Sequence, residues 1–317
     1  MSDLPQPEVI ITHESDLDGF VSGHLLQRLA GKLFDADVPL QAWNYDNWER
    51  RRLREKSAWV CDLNFTKRMD REEWLIVDHH ATDVTPEKCR LVHDTTKSAS
   101  LLCYELCREH GLGSETLDRL VHLTNVGDLF LTEDSDFQTS LDYGGLVKQY
   151  LFWNLQKLTG GNLESLMDHP LLEVVTTRRR VENPLGLAYA KLRMVRLSEE
   201  VGLVEVPVGD TNAVVHQLLD DAATPYPVLM SLVVRARVVS VSLRSRNDEA
   251  LKWAKRLQGG GHPNACGATL PRNIQRAPDA VEYLKKVLAP RTPAEAGLGD
   301  LASALGELDL KQKPAKP

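Results

Sequence analysis

Residues 74–80 of the chain read Trp-Leu-Ile-Val-Asp-His-His, and this stretch gives the strongest indication of the fold. Four apolar residues in a row are typical of a short buried strand. An acid and two imidazoles follow at once, and in an open parallel sheet the ligand crevice lies beyond the carboxyl ends of the strands. The stretch therefore predicts a buried strand that presents Asp78, His79 and His80 to a functional site.

Two earlier apolar runs end in the same way, at residues 9–12 (Val-Ile-Ile-Thr) and 58–61 (Ala-Trp-Val-Cys). Donors that follow separate parallel strands can converge at one edge of a sheet. Adjacent histidines and an Asp-x-Asp-Gly turn are each common without any function, but their joint occurrence at successive strand ends predicts one site. The donors that follow these two runs are His13, Asp16, Asp18 and Asp62.

The first part of the chain alternates between strand and helix patterns. After the first strand, Val21, Leu25, Leu29 and Leu33 recur at a spacing of four residues, which places them on one face of a helix. Strands that alternate with helices form βαβ units, and these build a mainly parallel sheet. We therefore predict an α/β fold whose first strands lie at residues 8–13, 40–45, 57–62 and 74–78.

Beyond residue 95 the pattern is mostly helical as far as residue 199. One helix is predicted at Ser98–His110, where Gly111 is a natural stop. A later helical segment is broken at residues 183–186 (Asn-Pro-Leu-Gly), which indicates a kink or hinge. A second alternation then predicts strands at residues 203–208, 227–234, 237–244 and 266–270 and helices at 211–221 and 247–257.

The predicted architecture has two α/β domains. A mainly parallel-sheet catalytic domain is joined by a helical connector to a smaller substrate-binding domain, and a flexible tail follows because Pro, Ala, Gly and Lys dominate there. The predicted boundaries are residues 1–180 for the catalytic domain, 181–200 for the connector, 201–290 for the second domain and 291–317 for the tail.

The composition narrows the classes of function. With 38 basic and 45 acidic residues, the formal net charge is −7, which argues against broad binding of long duplex nucleic acid but leaves short anionic substrates open. Five cysteines without zinc-ribbon spacing indicate reduced thiols of a cytoplasmic protein. No apolar run approaches the roughly 20 residues that span a bilayer, and no signal-peptide pattern opens the chain. We therefore expect neither membrane anchoring nor secretion.

The acids of the first predicted domain point to metal binding. Asp16 and Asp18 are two residues apart, so in an extended segment both carboxylates project from one side. Without a cation they would repel, and each would raise the pKa of the other. Carboxylate and imidazole donors without thiolate suit manganese or magnesium better than structural zinc. The donor set suffices for two divalent ions that share a carboxylate, and such sites favour hydrolysis of phosphate esters.

A glycine run in the second predicted domain indicates an anion site. Residues 259–261 lack side chains, so their N–H groups can approach a phosphate and form an anion-binding nest. The histidine that follows and a nearby arginine would add charge-assisted hydrogen bonds. A surface role is an equal alternative for Ser245. The predicted substrate-binding residues are Arg244, Ser245, Gly259, Gly260, Gly261 and His262.

These motifs resemble those of the DHH phosphoesterase superfamily. The triplet Asp78-His79-His80 is similar to the motif that gives the superfamily its name. Residues 242–246 and 259–267 resemble the C-terminal domain that commonly accompanies it. The other matching motifs are His13-x-x-Asp16-x-Asp18-Gly19, Asp62 in Cys-Asp-Leu-Asn, and Asp128 in Asn-Val-Gly-Asp.

The resemblance implies a role for each residue of the site. His80 would face the scissile phosphate as a charge stabiliser or as a proton donor to the leaving oxygen, and Asp78 would orient an imidazole. The two divalent ions would be manganese, with magnesium or another divalent ion as the alternative. One ion would be bound by His13, Asp16 and Asp62, and the other by Asp18, Asp62, His79 and Asp128.

Among superfamily members, the chain resembles nano-RNases, which hydrolyse short oligonucleotides to mononucleotides. A catalytic domain with a separate anion-binding domain suits a short RNA or dinucleotide substrate. Cyclic dinucleotide phosphodiesterases and 3′-phosphoadenosine 5′-phosphate phosphatases resemble the chain as well and are the alternatives. A catalytically silent nucleotide sensor would be expected to lack metal ligands, and none of the main candidates is missing. The resemblance also implies a homodimer.

Overall fold

The computed structural model of the protein describes residues 4–221, 223–235 and 238–289. The chain divides into two compact units, Met1–Glu182 and Asn183–Pro317, which we call unit one and unit two. The division lies within the segment that the sequence predicts to be the connector. The predicted flexible tail at residues 291–317 lies outside the described residues.

Unit one contains a five-stranded sheet in which all neighbouring strands run parallel. The strand order is β2-β1-β3-β4-β5, and the predicted α/β class is confirmed. The last strand was not predicted, because residues 90–93 read Arg-Leu-Val-His and contain no continuous apolar run. The strands are β1 (Ile10–His13), β2 (Leu40–Trp43), β3 (Ala58–Cys61), β4 (Trp74–Asp78) and β5 (Arg90–His93).

The central strands are mostly apolar because both faces of the sheet are covered. Alternate side chains of β3 and β4 belong to two different cores: Trp59 and Leu75 lie in one, and Val60 and Ile76 lie in the other. This is the burial pattern expected of a parallel sheet with helices or loops on both sides. Consequently, polar residues at the strand ends are the first ones that can serve a site.

The helices of unit one follow the strands and then form a helical segment. The predicted helix at Ser98–His110 is confirmed as α3, with Ser98 as its N-cap. Short 3₁₀ helices occur at Lys67–Met69 and Leu163–Leu166. The α-helices are α1 (Leu17–Phe34), α2 (Tyr45–Arg50), α3 (Ala99–Glu109), α4 (Glu115–Asp128), α5 (Phe137–Tyr150) and α6 (Phe152–Thr159). A seventh helix, α7 (Leu171–Leu192), begins in unit one and continues past Glu182 into unit two.

The predicted break at residues 183–186 is wrong, because α7 continues through Pro184. A proline removes one backbone hydrogen bond from a helix interior, and that loss does not by itself end the helix. Gly186 is required for packing: a Cβ built on it would lie 2.2 Å from the Val208 carbonyl oxygen. The glycine therefore allows a close approach of two backbones, and the kink or hinge expected at this segment stays a prediction.

Unit two contains a mostly antiparallel sheet of six strands within the described residues, in the order β10-β11-β9-β8-β7-β6. Only the β7–β8 pair is parallel among these described strands. The elements are β6 (Val195–Arg196), β7 (Val201–Val204), α8 (Thr211–Asp220), β8 (Val228–Arg235), β9 (Val238–Ser245), α9 (Ala250–Arg256), β10 (Gly260–His262), β11 (Ala265–Thr269) and α10 (Ala277–Leu288).

Two predictions for unit two need correction. The strand predicted at residues 203–208 is β7, which ends at Val204; Pro207 follows, and proline cannot donate a ladder hydrogen bond. The glycine run, for which an anion-binding nest was predicted, contributes Gly260 and Gly261 to β10, which pairs with β11 in antiparallel fashion. Within the described residues, no helix combines the length and the apolar character needed to cross a membrane.

Gly19 fixes the start of α1 against the end of β1. A Cβ built on Gly19 would lie 2.1 Å from the carbonyl oxygen of His13, whereas one built on Gly31 of the same helix meets nothing closer than 3.7 Å. We expect Gly19→Ala to lower the free energy of unfolding by about 2 kcal/mol or more, because the backbone must move apart. Gly31→Ala should be neutral or should raise the free energy of unfolding by up to about 1 kcal/mol, because alanine favours the helix.

Urea unfolding of both variants in chelator, followed by circular dichroism, measures this difference. Equal effects of the two substitutions would contradict the close approach between α1 and β1.

Candidate functional site

The donors predicted in the first domain lie together at the carboxyl edge of the parallel sheet. His13 is the last residue of β1 and Asp62 follows β3. Asp78 is the last residue of β4, and His79 and His80 follow it directly. The other donors come from helix ends: Asp16 precedes α1, Asp18 lies in its first turn, and Asp128 is the last residue of α4.

One set of donors, which we call the first donor group, consists of His13, Asp16 and Asp62. His13 Nδ1 lies 3.0 Å from Asp16 Oδ2 and 3.6 Å from Asp62 Oδ2. His13 and Asp62 are buried, whereas the Asp16 side chain is 36% exposed. One ligand atom from each residue lies within 4.8 Å of the others, which is close enough for all three to contact one ion.

A second set, the second donor group, consists of Asp18, His79 and Asp128. His79 Nε2 lies 3.4 Å from Asp128 Oδ2 and 4.0 Å from Asp18 Oδ2. The same nitrogen is 3.6 Å from Asp62 Oδ1. Asp18 and His79 are buried. The sequence placed these residues in one site, and the structure brings them together.

Asp62 lies between the two donor groups. Its Oδ2 faces His13 and its Oδ1 faces His79. Oδ2 is buried and makes no hydrogen bond within the described residues, although a buried carboxylate oxygen without a partner is costly. The backbone of Asp62 has φ 55°, a left-handed conformation that aspartate and asparagine adopt more readily than most residues. The position therefore fits a carboxylate that could bind one cation through each of its two oxygens.

The structure corrects the prediction that Asp16 and Asp18 project together from an extended segment. Asp16 is the N-cap of α1, and its side chain accepts the N–H of Gly19 at 3.0 Å. Asp18 is already helical, and its carboxylate accepts the N–H groups of Ala99 and Ser100, each at 2.8 Å. The N-terminus of α3 therefore holds Asp18, which explains why the two acids serve different donor groups.

The carboxylates of the site strongly favour positive charge on their neighbours. Burial lowers the pKa of His13, but Asp16 and Asp62 outweigh burial and raise that pKa to about 11. Burial likewise opposes protonation of His79, yet Asp62 and other carboxylates raise its pKa to about 10. Burial and Asp62 together raise the pKa of Asp18 to about 7. Without cations, protons are therefore drawn to the site, as expected when carboxylates are packed together.

The chemistry of the donors fits divalent cations. Carboxylate oxygens and imidazole nitrogens make up both groups, and such donors suit manganese and magnesium. The neighbouring thiol of Cys61 is buried and donates to the Ile11 carbonyl oxygen at 3.7 Å, so it belongs to the packing of the sheet. The residues present therefore fit the predicted pair of divalent ions.

Asp78 holds His80. Its Oδ1 lies 2.7 Å from His80 Nδ1, and its Oδ2 accepts the N–H of Phe65 at 2.9 Å. Asp78 is fully buried, and burial raises its pKa, but His80 outweighs burial and the pKa is lowered. An ionised Asp78 can only accept hydrogen bonds, so its partner nitrogen on His80 carries a proton.

Tyr45 is part of the same site, although no predicted motif contains it. Its hydroxyl lies 3.0 Å from His80 Nε2, and its ring packs against that of His13 with 4.6 Å between the centroids. The signal in the sequence was its position two residues after β2, which resembles the strand-end positions of the other donors.

A further group of possible ligands, His122, Asp134 and Asp136, lies outside this site. Arg119 forms a paired hydrogen-bonded contact with Asp136, one bond of which measures 2.7 Å. His122 Nε2 is 3.1 Å from the same carboxylate. The guanidinium already supplies the positive charge there, so the arrangement is explained as an ion-pair network.

In unit two, Arg244 and Ser245 have different surroundings. The Arg244 guanidinium donates to Ser242 Oγ at 3.0 Å and to the Leu243 carbonyl oxygen at 2.9 Å. Ser245 is buried, and its Oγ lies 3.0 Å from Asn264 Oδ1 and accepts the N–H of Ala250, also at 3.0 Å. These bonds hold the start of α9, so the structure favours a structural role for Ser245 over the predicted contact with substrate.

Some backbone groups of the glycine run at residues 259–261 already make contacts within unit two. Gly259 donates its N–H to the Ala254 carbonyl oxygen at 2.9 Å, so this N–H is not available to an anion as predicted. A Cβ on Gly259 would lie 2.2 Å from the Gly267 carbonyl oxygen, and one on Gly261, whose φ is 130°, would lie 2.6 Å from that of Ala265. A Cβ on Gly260 would meet nothing within 4 Å. The side chain of His262 lies outside the described part of the chain.

Residues 201–289 match the DHHA1 domain family. No curated protein matches the whole sequence significantly. Solved structures with a similar fold include the pGpG-specific phosphodiesterase PggH from Vibrio cholerae, at 11% identity with a TM-score of 0.55; the alignment covers 88% of this chain and 98% of that one.

Two other similar structures extend this comparison. An exopolyphosphatase-related protein from Bacteroides fragilis has 15% identity and a TM-score of 0.52, over 90% of this chain and 92% of that one. RecJ from Thermus thermophilus, solved with Mn²⁺, has 17% identity and a TM-score of 0.51, over 87% of this chain and 52% of that one. The chain therefore contains a DHHA1 domain at residues 201–289 and shares its fold with these three structures.

Proposed function

We propose that the protein is a manganese-dependent phosphodiesterase that hydrolyses short linear oligonucleotides to mononucleotides. The observation that carries the proposal is the position of Asp62, which directs one carboxylate oxygen toward each donor group. A carboxylate shared between two ions is a common feature of two-metal phosphoesterase sites. The proposed ligands are His13, Asp16 and Asp62 for one ion, and Asp18, Asp62, His79 and Asp128 for the other.

Divalent ions in such a site activate a water as the nucleophile and neutralise charge that develops on the phosphate oxygens. The protein contributes the placement of the surrounding groups. His80, held by Asp78 at 2.7 Å, is proposed to stabilise that charge or to donate a proton to the leaving oxygen. Asp78 keeps the imidazole in one orientation, because its other oxygen is fixed by the Phe65 N–H.

Arg244 is proposed to bind a phosphate of the substrate. Its guanidinium hydrogen bonds to Ser242 and Leu243 involve Nη1, and a guanidinium has five N–H donors in all. The remaining donors allow charge-assisted bonds to an anion. Gly260 and the backbone of residues 261–262 are proposed to border the same anion, because a Cβ on Gly260 would meet no other atom within 4 Å.

Short linear substrates are favoured by two facts. The net charge of −7 does not suit broad binding of long duplex nucleic acid. The pGpG-specific phosphodiesterase that shares the fold acts, by its name, on a dinucleotide. A short RNA or dinucleotide is therefore the proposed partner. A cytoplasmic location and a homodimer stay predictions from the sequence.

The experiment that tests this function supplies metal-stripped protein with Mn²⁺ and a panel of four compounds. These are a linear diribonucleotide, a five-residue RNA, cyclic di-AMP and 3′-phosphoadenosine 5′-phosphate. We expect the linear compounds to be converted to mononucleotides fastest, measured by chromatography of the products. Faster turnover of the cyclic or the bisphosphate compound would contradict the linear specificity, and no turnover of any compound would contradict the proposed function.

Asp62→Asn should abolish activity through the metal site. Asparagine tolerates the left-handed backbone of this position, but its neutral amide cannot replace a shared carboxylate. We expect turnover to fall by about 1000-fold or more and tight Mn²⁺ binding to be lost for at least one ion, measured by calorimetry. Asp136→Asn is the matched control, because its carboxylate pairs with Arg119 outside the site. If Asp62→Asn kept two tightly bound ions, the bridging assignment would be wrong.

Arg244→Ala should impair substrate binding and leave the metal site intact. Loss of charge-assisted hydrogen bonds to a phosphate should raise KM by about tenfold or more, while Mn²⁺ stoichiometry stays unchanged. Arg246→Ala is the control, because this exposed arginine follows the end of the same strand. Loss of bound Mn²⁺ from Arg244→Ala, or an unchanged KM, would overturn the proposed division of roles between the two units.

A further inference from the structure

Tyr45 contacts two functional histidines at once. Its hydroxyl lies 3.0 Å from His80 Nε2, and the two rings are nearly perpendicular with 6.0 Å between centroids. On its other side, the Tyr45 ring packs against the ring of His13 at 4.6 Å. The phenol therefore lies between a member of the first donor group and the histidine proposed to act on the phosphate.

The chain around Tyr45 fixes its position. Tyr45 is the first residue of α2, and the preceding Asn44 caps that helix by accepting the N–H of Asn47 at 3.0 Å. Asn44 also donates from Nδ2 to Glu14 Oε1 at 2.8 Å, and the Glu14 N–H donates to the Trp43 carbonyl oxygen at 3.1 Å. These bonds connect the segment after β2 to the segment after β1, so the phenol is fixed relative to the donors.

Donor and acceptor can be assigned for the hydrogen bond between His80 Nδ1 and Asp78. Asp78 is buried and accepts from Phe65, and its Oδ1 accepts from His80 Nδ1 at 2.7 Å. The Nδ1 of His80 therefore carries a proton, and Nε2 is the atom that faces the Tyr45 hydroxyl. Two partners on opposite nitrogens restrict the ring more than one partner does.

We propose that Tyr45 is a positioning residue that acts through His80. The phenol and Asp78 hold the imidazole from both sides, so that Nε2 is aimed before the substrate arrives. Ordering a reacting group in advance lowers the barrier of the chemical step, and it does not strengthen ground-state binding. The inference rests on the proposed function, because it assigns a role within that reaction.

The test is a double-mutant cycle with wild-type protein, Tyr45→Phe, His80→Gln and the double variant, all loaded with Mn²⁺. The substrate is the compound of the panel that the wild type hydrolyses fastest. We expect Tyr45→Phe to lower kcat by about tenfold, equivalent to about 1.4 kcal/mol, with KM changed by less than about twofold. In the His80→Gln background, the same substitution should have no further effect.

Tyr104→Phe is the matched control. It removes a hydroxyl that donates to Asp118 at 2.8 Å, and it should leave kcat unchanged. A fall in kcat by the same factor with and without His80 would show that Tyr45 acts independently, and this would overturn the proposal. An unchanged or increased kcat in Tyr45→Phe would overturn it as well, since an increase would mean that the hydroxyl competes with the substrate.

A second measurement separates this inference from the proposed function, because it needs no turnover. In Mg²⁺-loaded protein, the ¹⁵N resonance of His80 Nε2, assigned with His80→Gln, should shift in Tyr45→Phe and stay in place in Tyr104→Phe. An unshifted resonance would overturn the contact even if the enzyme is active. A shifted resonance in a protein that hydrolyses no compound of the panel would mean that only the proposed function had failed.

Discussion

Mutual repulsion of carboxylates at one edge of a parallel sheet is the constraint on which the site depends. Asp18 and Asp62 are buried, and Asp16 and Asp128 complete a set of four acids around two histidines. Buried like charges are unfavourable unless cations or hydrogen-bond donors compensate them. Raised pKa values of His13 and His79 show how strongly the acids attract positive charge. A pair of divalent ions would neutralise these carboxylates without protonating the donors.

The fold compensates part of this charge through helix ends. Asp16 caps α1, and Asp18 accepts two N–H groups from the start of α3. Helix N-termini carry unpaired N–H groups and a partial positive charge, so both acids are stabilised while one side of each stays directed at the site. Gly19 allows α1 to approach β1 closely enough for this arrangement. The packing of α1 and the placement of these two acids therefore depend on the same few backbone contacts.

Much of the site could be predicted because an apolar strand that is followed directly by polar residues is recognisable from local sequence. The pattern found β4 with its true bounds and placed His79 and Asp62 at strand ends. It missed β5, whose sequence Arg-Leu-Val-His contains only two apolar residues at the sheet edge. It misjudged Asp18, which is helical because Asp16 caps α1, and it did not indicate that the start of α3, 81 residues further along the chain, holds the Asp18 carboxylate. It also missed Tyr45, because the contact of Tyr45 with His80 joins two residues that are 35 positions apart in the chain.

Local sequence was sufficient to predict the α/β class, the donor types and the strand-end positions of His13, Asp62 and His79, because each depends on residues close together in the chain. The tertiary structure decided which acid serves which donor group, that Asp62 faces both, that Ser245 and Gly259 serve the fold, and that Tyr45 reaches His80. These outcomes depend on distances between residues far apart in sequence. Such distances follow from how helices pack on the sheet, and no local pattern encodes them.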